Sequence, residues 1–101
     1  MKGLTILLVD DEPLMRLPMV DAMEAVGNEV RAAATGTEGM QVLRQKTFDL
    51  VITDLRLPGA DGLAVLKATK ETSPQTEVVV ITAHGSVETA VGAMSLGAFD
   101  Y

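Results

Sequence analysis

The chain has no cysteine, so neither a disulfide framework nor a thiolate metal site is available to it. Aromatic residues amount to 3% and tryptophan is absent, which leaves Val, Leu, Ile, Met and Ala to fill any core. Basic residues are few: eight Lys and Arg stand against fourteen Asp and Glu, for a net charge of -6. They are also scattered, whereas phosphate contacts need clustered Lys and Arg, so no direct nucleic-acid contact is expected of this segment. No apolar run approaches membrane-spanning length. Met1-Lys2-Gly3 leads straight into a strand-length apolar run that ends in acid, unlike a signal peptide. A cytoplasmic domain without membrane contact is the expectation.

What is present is a pattern. The 101 residues allow one domain with a single modest core, and 48% hydrophobic content is enough to fold it. Apolar runs alternate with amphipathic stretches, which signals an α/β fold built on a parallel sheet. The strand candidates are Leu4 to Val9, Glu29 to Ala34, Leu50 to Thr53 and Val78 to Thr82. The first, third and fourth are nearly continuous in apolar residues, as strands covered on both faces are. The second is more polar and fits an edge.

Helices are expected between the strands. The first begins at Pro13 and runs toward Val26, where Gly27-Asn28 stops it. Pro18 inside that span removes a backbone donor, so a kink or a late start is expected there. Its methionines read as core filler. Thr35 and Glu38 form a capping box for the second helix, with Met40 and Leu43 facing inward. Asp61 caps the third, with Leu63 and Leu66 inward and Lys67 and Lys70 outward. Ser86 caps the fourth, which carries Val87, Ala90, Val91 and Met94 at helical spacing and stops at Gly97. Ala98-Phe99-Asp100-Tyr101 reads as the start of a fifth strand. Residues 1–101 are thus expected to be the front part of one domain, short of its last strand and helix, with apolar surface left uncovered on the fourth strand and on one helical face.

Three carboxylates carry the chemistry. Asp10 and Asp11 end the first apolar run, and Asp54 ends the third. In an open parallel sheet the carboxyl ends of the strands form the ligand-binding edge. Acids converging there resist joint ionisation unless a cation sits among them. All-oxygen ligation of this kind suits Mg²⁺, and a divalent ion beside an aspartate prepares it for phosphoryl chemistry. Asp10 and Asp11 have a plainer reading as acids favoured by a helix N-terminus. Thr82, at a strand end, can likewise be only a good strand residue.

The residues that carry a family likeness occur in order along the whole chain: Leu8-Val9-Asp10-Asp11-Glu12, then Asp54 with Leu57-Pro58-Gly59 and Asp61-Gly62, then Thr82-Ala83, then Gly97-Ala98 with Asp100-Tyr101. On these the chain resembles the receiver domain of bacterial two-component response regulators. The run from Thr82 to Val91 is especially similar to receivers of nitrogen-regulation-type transcription activators. The resemblance implies a flavodoxin-like doubly wound sheet of strand order 2-1-3-4-5. It implies that Asp54 takes a phosphoryl group from a sensor histidine kinase, with Mg²⁺ held by Asp11, Asp54 and the backbone carbonyl of Arg56, and by Asp10 through water. Thr82 would hydrogen-bond the phosphoryl group, and Tyr101 would be the switch aromatic. Arg56 and His84 would line the phosphoryl group and tune its lifetime. An output domain outside this chain, an ATPase with a DNA-binding module, would receive the signal.

One departure stands out. The family carries a lysine three residues past the switch aromatic, and none of Lys2, Lys46, Lys67 or Lys70 is placed to replace it. The face that receivers use to dimerise includes the missing helix, so a homodimer, strand exchange included, is among the expected states. Rival readings fare worse. A phosphatase of the haloacid dehalogenase type needs a second aspartate two residues after the nucleophile, where Arg56 stands. A flavin module needs a Ser, Thr and Gly-rich phosphate loop where Asp10-Asp11-Glu12 places negative charge. A receiver-like module that has lost phosphorylation is disfavoured by the presence of Asp10, Asp11, Asp54 and Thr82, while the missing lysine leaves that reading open for these residues. The sequence therefore favours a regulatory phosphoacceptor over a turnover enzyme.

Overall fold

Four parallel strands and three helices alternate along the chain in a computed structural model that describes residues 3–81 and 92–98. In order these are β1 (Thr5–Val9), α1 (Pro13–Ala25), β2 (Glu29–Ala33), α2 (Gly36–Gln45), β3 (Leu50–Asp54), α3 (Gly62–Thr72) and β4 (Glu77–Ile81). A helical turn at 92–95 follows. The sheet order is β2-β1-β3-β4, as expected for the described strands, with the polar β2 at an edge. The register runs Ile6↔Leu50 to Val9↔Thr53 between β1 and β3, so the two strands end level with each other.

Alternation along the strands divides the core. Leu7, Val9, Val51, Val78 and Val80 form one face and join Val42, Val65 and Leu66 in a buried cluster. Each such side chain contributes about 1.5–3 kcal/mol of burial. The opposite face carries Ile6 and Leu8, both buried, but Leu50, Ile52, Val79 and Ile81 there stay half-buried. α1 buries none of its residues, and Leu14 and Leu17 are 84% and 58% exposed.

The caps explain the helix ends. Glu12 caps α1 by accepting from the Leu14 N–H, with Pro13 next in the helix. α1 stops where Gly27 turns to φ 95, the Gly27 N–H bonding the Glu24 carbonyl and the Asn28 N–H the Met23 carbonyl. Gly97 (φ 100) ends the 92–95 turn in the same way, with the Ala98 N–H on the Ala93 carbonyl. Thr35 Oγ1 accepts from the Glu38 N–H, and Glu38 reaches back to the Ala34 N–H. Asp61 caps α3 through the Ala64 N–H.

Several helix faces differ from expectation. α1 runs unbroken from Pro13 through Pro18, so there is no late start. Met15 is exposed and not core filler. In α2 the residues buried deepest are Gly36, Gly39 and Val42, with Met40 and Leu43 half-buried beside them. The reason is proximity: a Cβ on Gly39 would press on the Val9 side chain, so small residues face the sheet. In α3, Val65, Leu66 and Thr69 are buried and Lys67 is exposed, but Lys70 folds back. Its Nζ donates to the Thr76 carbonyl at 2.6 Å, and its stem lies against Gly97. Met94 is half-exposed, and Ala93 takes the inward place. The Ser86 cap lies outside the described residues.

Candidate functional site

Parallel pairing of β1 with β3 brings the acids together. With Val9 opposite Thr53, Asp10, just past β1, and Asp54, the last residue of β3, lie side by side. The carboxylates of Asp10, Asp11 and Asp54 each offer an oxygen, and all three oxygens lie within 4.8 Å of one another. Asp10 is 2% exposed, Asp54 is half-buried and Asp11 faces solvent. Three negative charges at that spacing repel, which is the condition that a bound cation relieves.

Each acid is fixed differently. The Asp10 N–H donates to the Ala33 carbonyl at 3.1 Å, holding the loop to the end of β2. Asp10 Oδ1 accepts from the Glu12 N–H at 2.9 Å, so the buried carboxylate has a partner. The Asp10 carbonyl accepts from Arg16 Nη1 at 2.8 Å. Asp54 Oδ1 accepts from the Arg56 N–H at 3.3 Å. Burial raises the Asp54 pKa above its ordinary value, and the Asp10 and Asp11 charges push the same way. Backbone N–H groups of Arg56 and Leu55 oppose that rise.

The loop after β3 is closed by small residues. The Gly62 N–H donates to the Leu55 carbonyl at 2.8 Å, and a Cβ there would collide with the Asp54 backbone. Gly59 sits at φ 78, beside Thr37. The Gly36 N–H donates to the Pro58 carbonyl at 3.2 Å, and a Cβ on Gly36 would land on the Ala60 carbonyl. The start of α2 therefore seats the segment that carries Arg56 to Asp61.

Of the residues named from sequence, the structure brings Asp10, Asp11 and Asp54 into one cluster, with the exposed Arg56 at its rim. Thr82, His84 and Tyr101 lie outside the described residues. Lys46 pairs with Glu29 at 2.6 Å and Lys70 with the Thr76 carbonyl, both away from the acids. Two residues that shape the site carry no motif. Arg16 is marked only as a lone cation in an apolar turn, four residues after the capping Glu12. Gly36 gives no signal beyond its place after a capping threonine. The donor set itself, three carboxylates and nothing softer, suits a hard cation such as Mg²⁺.

A family model described as the response regulator receiver domain matches residues 6–101. The chain is 38% identical over 94 residues to the DNA-binding transcriptional regulator NtrC of Escherichia coli, covering 93% of this chain and 20% of that protein. Among solved structures, a CheY-like receiver domain protein from Methanospirillum hungatei superposes with a TM-score of 0.93 at 30% identity, over 96% of this chain and 78% of that one. A response regulator from Burkholderia pseudomallei, solved with a phosphorylated aspartic acid and a calcium ion, matches at a TM-score of 0.90 and 27% identity, over 96% of this chain and 57% of that one. The chain spans about a fifth of the length of the curated relatives it matches.

Proposed function

The chain belongs to the response regulator receiver domain family, and on that premise we propose that Asp54 is its phosphoacceptor. The observation that carries this is the cluster of Asp10, Asp11 and Asp54 carboxylates at one sheet edge. An Asp54 carboxylate oxygen attacks the phosphorus of a phosphohistidine on a sensor kinase. The new P–O bond forms as the P–N bond breaks, and the histidine leaves with the electron pair. Asp11, Asp54 and the Arg56 carbonyl would hold Mg²⁺, with Asp10 acting through water. When bound, that ion neutralises charge on the transferring oxygens.

The chain's own residues do the rest. The Arg56 N–H holds Asp54 Oδ1 and so orients the carboxylate. The buried Asp10 keeps the site electronegative, which recruits the cation. Thr82 hydrogen-bonds the phosphoryl group, and Tyr101 responds to that bond. His84 and Arg56 set the lifetime of the acyl phosphate. The exposed Arg56 stands where a phosphatase would need a second carboxylate, so the modification persists and the domain acts as a switch and not as a turnover enzyme. Residues 1–101 belong to one receiver domain, without its last strand and helix. Its signal passes to an output module with a transcriptional role, in the cytoplasm, with a receiver homodimer as one means of transmission.

Acetyl phosphate with Mg²⁺ tests the site directly. One phosphoryl group per chain is expected by intact mass, with none in Asp54→Asn or in the presence of a chelator. Labelling that survives Asp54→Asn places the acceptor elsewhere and overturns the assignment.

A further inference from the structure

Arg16 is the one cationic side chain hydrogen-bonded to the acidic loop among the described residues, and it reaches a carbonyl where three carboxylates lie close by. We infer that Arg16 is a positioning residue, which sets the direction of Asp11 by fixing the Asp10–Asp11 peptide. The Asp10 N–H is held by Ala33 in β2, and the Asp10 carboxylate is engaged by the Glu12 N–H. What remains free to turn is the peptide that follows Asp10, and Arg16 Nη1 holds its carbonyl at 2.8 Å. Asp11, whose N–H belongs to that same peptide, is exposed and has no strand to hold it.

The geometry makes the link economical. Arg16 sits one turn into α1, its own N–H on the Glu12 carbonyl at 2.9 Å, so the helix start and the acid pair are tied to one side chain. Arg16 is half-buried. Its bond goes to a carbonyl and leaves all the carboxylate oxygens of the cluster to other ligands. Partners of this kind, one bond removed from the ion, orient the ligands that touch it.

This inference rests on the metal site proposed above, and the sign of one measurement separates it from a simple charge effect. Mg²⁺ affinity is read by amide chemical shifts of the folded protein, which also report whether each variant folds. Arg16→Met keeps the apolar stem and removes the donors. If Arg16 positions Asp11, affinity falls about 10-fold, the loss survives high salt, and Arg16→Lys recovers part of it. If Arg16 acted only through its charge, removing that charge would raise Mg²⁺ affinity, and the rise would vanish in high salt. Unchanged or raised affinity in Arg16→Met therefore overturns the inference. Should Arg16→Met fail to fold, Arg16→Ala, which also lacks a donor, gives the same comparison, and wild-type or raised affinity in it overturns the inference equally. Wild-type protein that shows no Mg²⁺ response would bring down the metal site itself, a different failure.

Discussion

Asp54→Asn should make the protein more stable when no divalent cation is present. At 4.8 Å or less, each like-charge pair costs about 1 kcal/mol in a water-like medium and about 3 kcal/mol at an effective dielectric of about 20. Asp11 is open to solvent and Asp54 half so, which keeps both pairs near the lower figure. Removing the Asp54 charge abolishes its pairs with Asp10 and Asp11, a gain of about 2 kcal/mol at pH 7. For a domain of this size that raises the Tm by about 10 °C. Burial raises the Asp54 pKa, so the fold favours its neutral form. The stability that comes from the neutral form is fully present below the ordinary value of 3.8 and is lost as pH rises through the raised value. The advantage of Asn is therefore full at neutral pH and shrinks as pH falls toward 3.8. Saturating Mg²⁺ should invert the order, because ion at 100 times its Kd adds about 2.7 kcal/mol to a protein that binds it, and the Asn variant has lost a charged ligand. Thermal melts in chelator and in Mg²⁺, across pH, measure all of this. A variant no more stable than wild type in chelator at pH 7 would refute the reasoning.

Two glycines should respond to alanine with opposite signs. Gly36→Ala drives a methyl onto the Ala60 carbonyl, and the expected loss of about 1–3 kcal/mol exceeds the helix-propensity gain of about 1 kcal/mol. Gly92→Ala meets nothing within 4 Å among the described residues and should gain about 0.5–1 kcal/mol; urea midpoints compare the two. The buried Thr76 hydroxyl donates to the Phe48 carbonyl at 2.6 Å, so Thr76→Val should cost about 1–3 kcal/mol by leaving that carbonyl unmet. Equal stability of Thr76→Val and wild type in a urea titration would show that water replaces the hydroxyl.

Much of the fold was legible because burial imposes local patterns on a chain. Two-sided burial makes β1, β3 and β4 read as apolar runs, so the order of residues alone marks their ends and the acids at those ends. Gly27 and Gly97 marked helix stops because both take a positive φ that other residues resist. Thr35 and Asp61 marked helix starts because each side chain meets an orphan N–H of the first turn. The resemblance carried by Asp10, Asp11 and Asp54 needed only their order along the chain.

The sequence by itself thus determined the order of the described elements, the caps at Thr35 and Asp61 and the identity of the three acids. Tertiary structure alone decided how close neighbours come. Periodicity names the residues on one helical face, but not the distance to the partner, so it proposed Met40 and Leu43, which do pack half-buried against the core, and passed over Gly39 and Val42, which lie deeper. It sent Lys70 outward, although carbonyls at Pro74 and Thr76 lie within its reach. It was silent on Arg16, because the partner is a backbone carbonyl, and carbonyls have no sequence signature. The carboxylate cluster, too, exists only because parallel pairing ends β1 and β3 level, 44 residues of chain apart at Asp10 and Asp54, and long-range register is a property of the folded sheet.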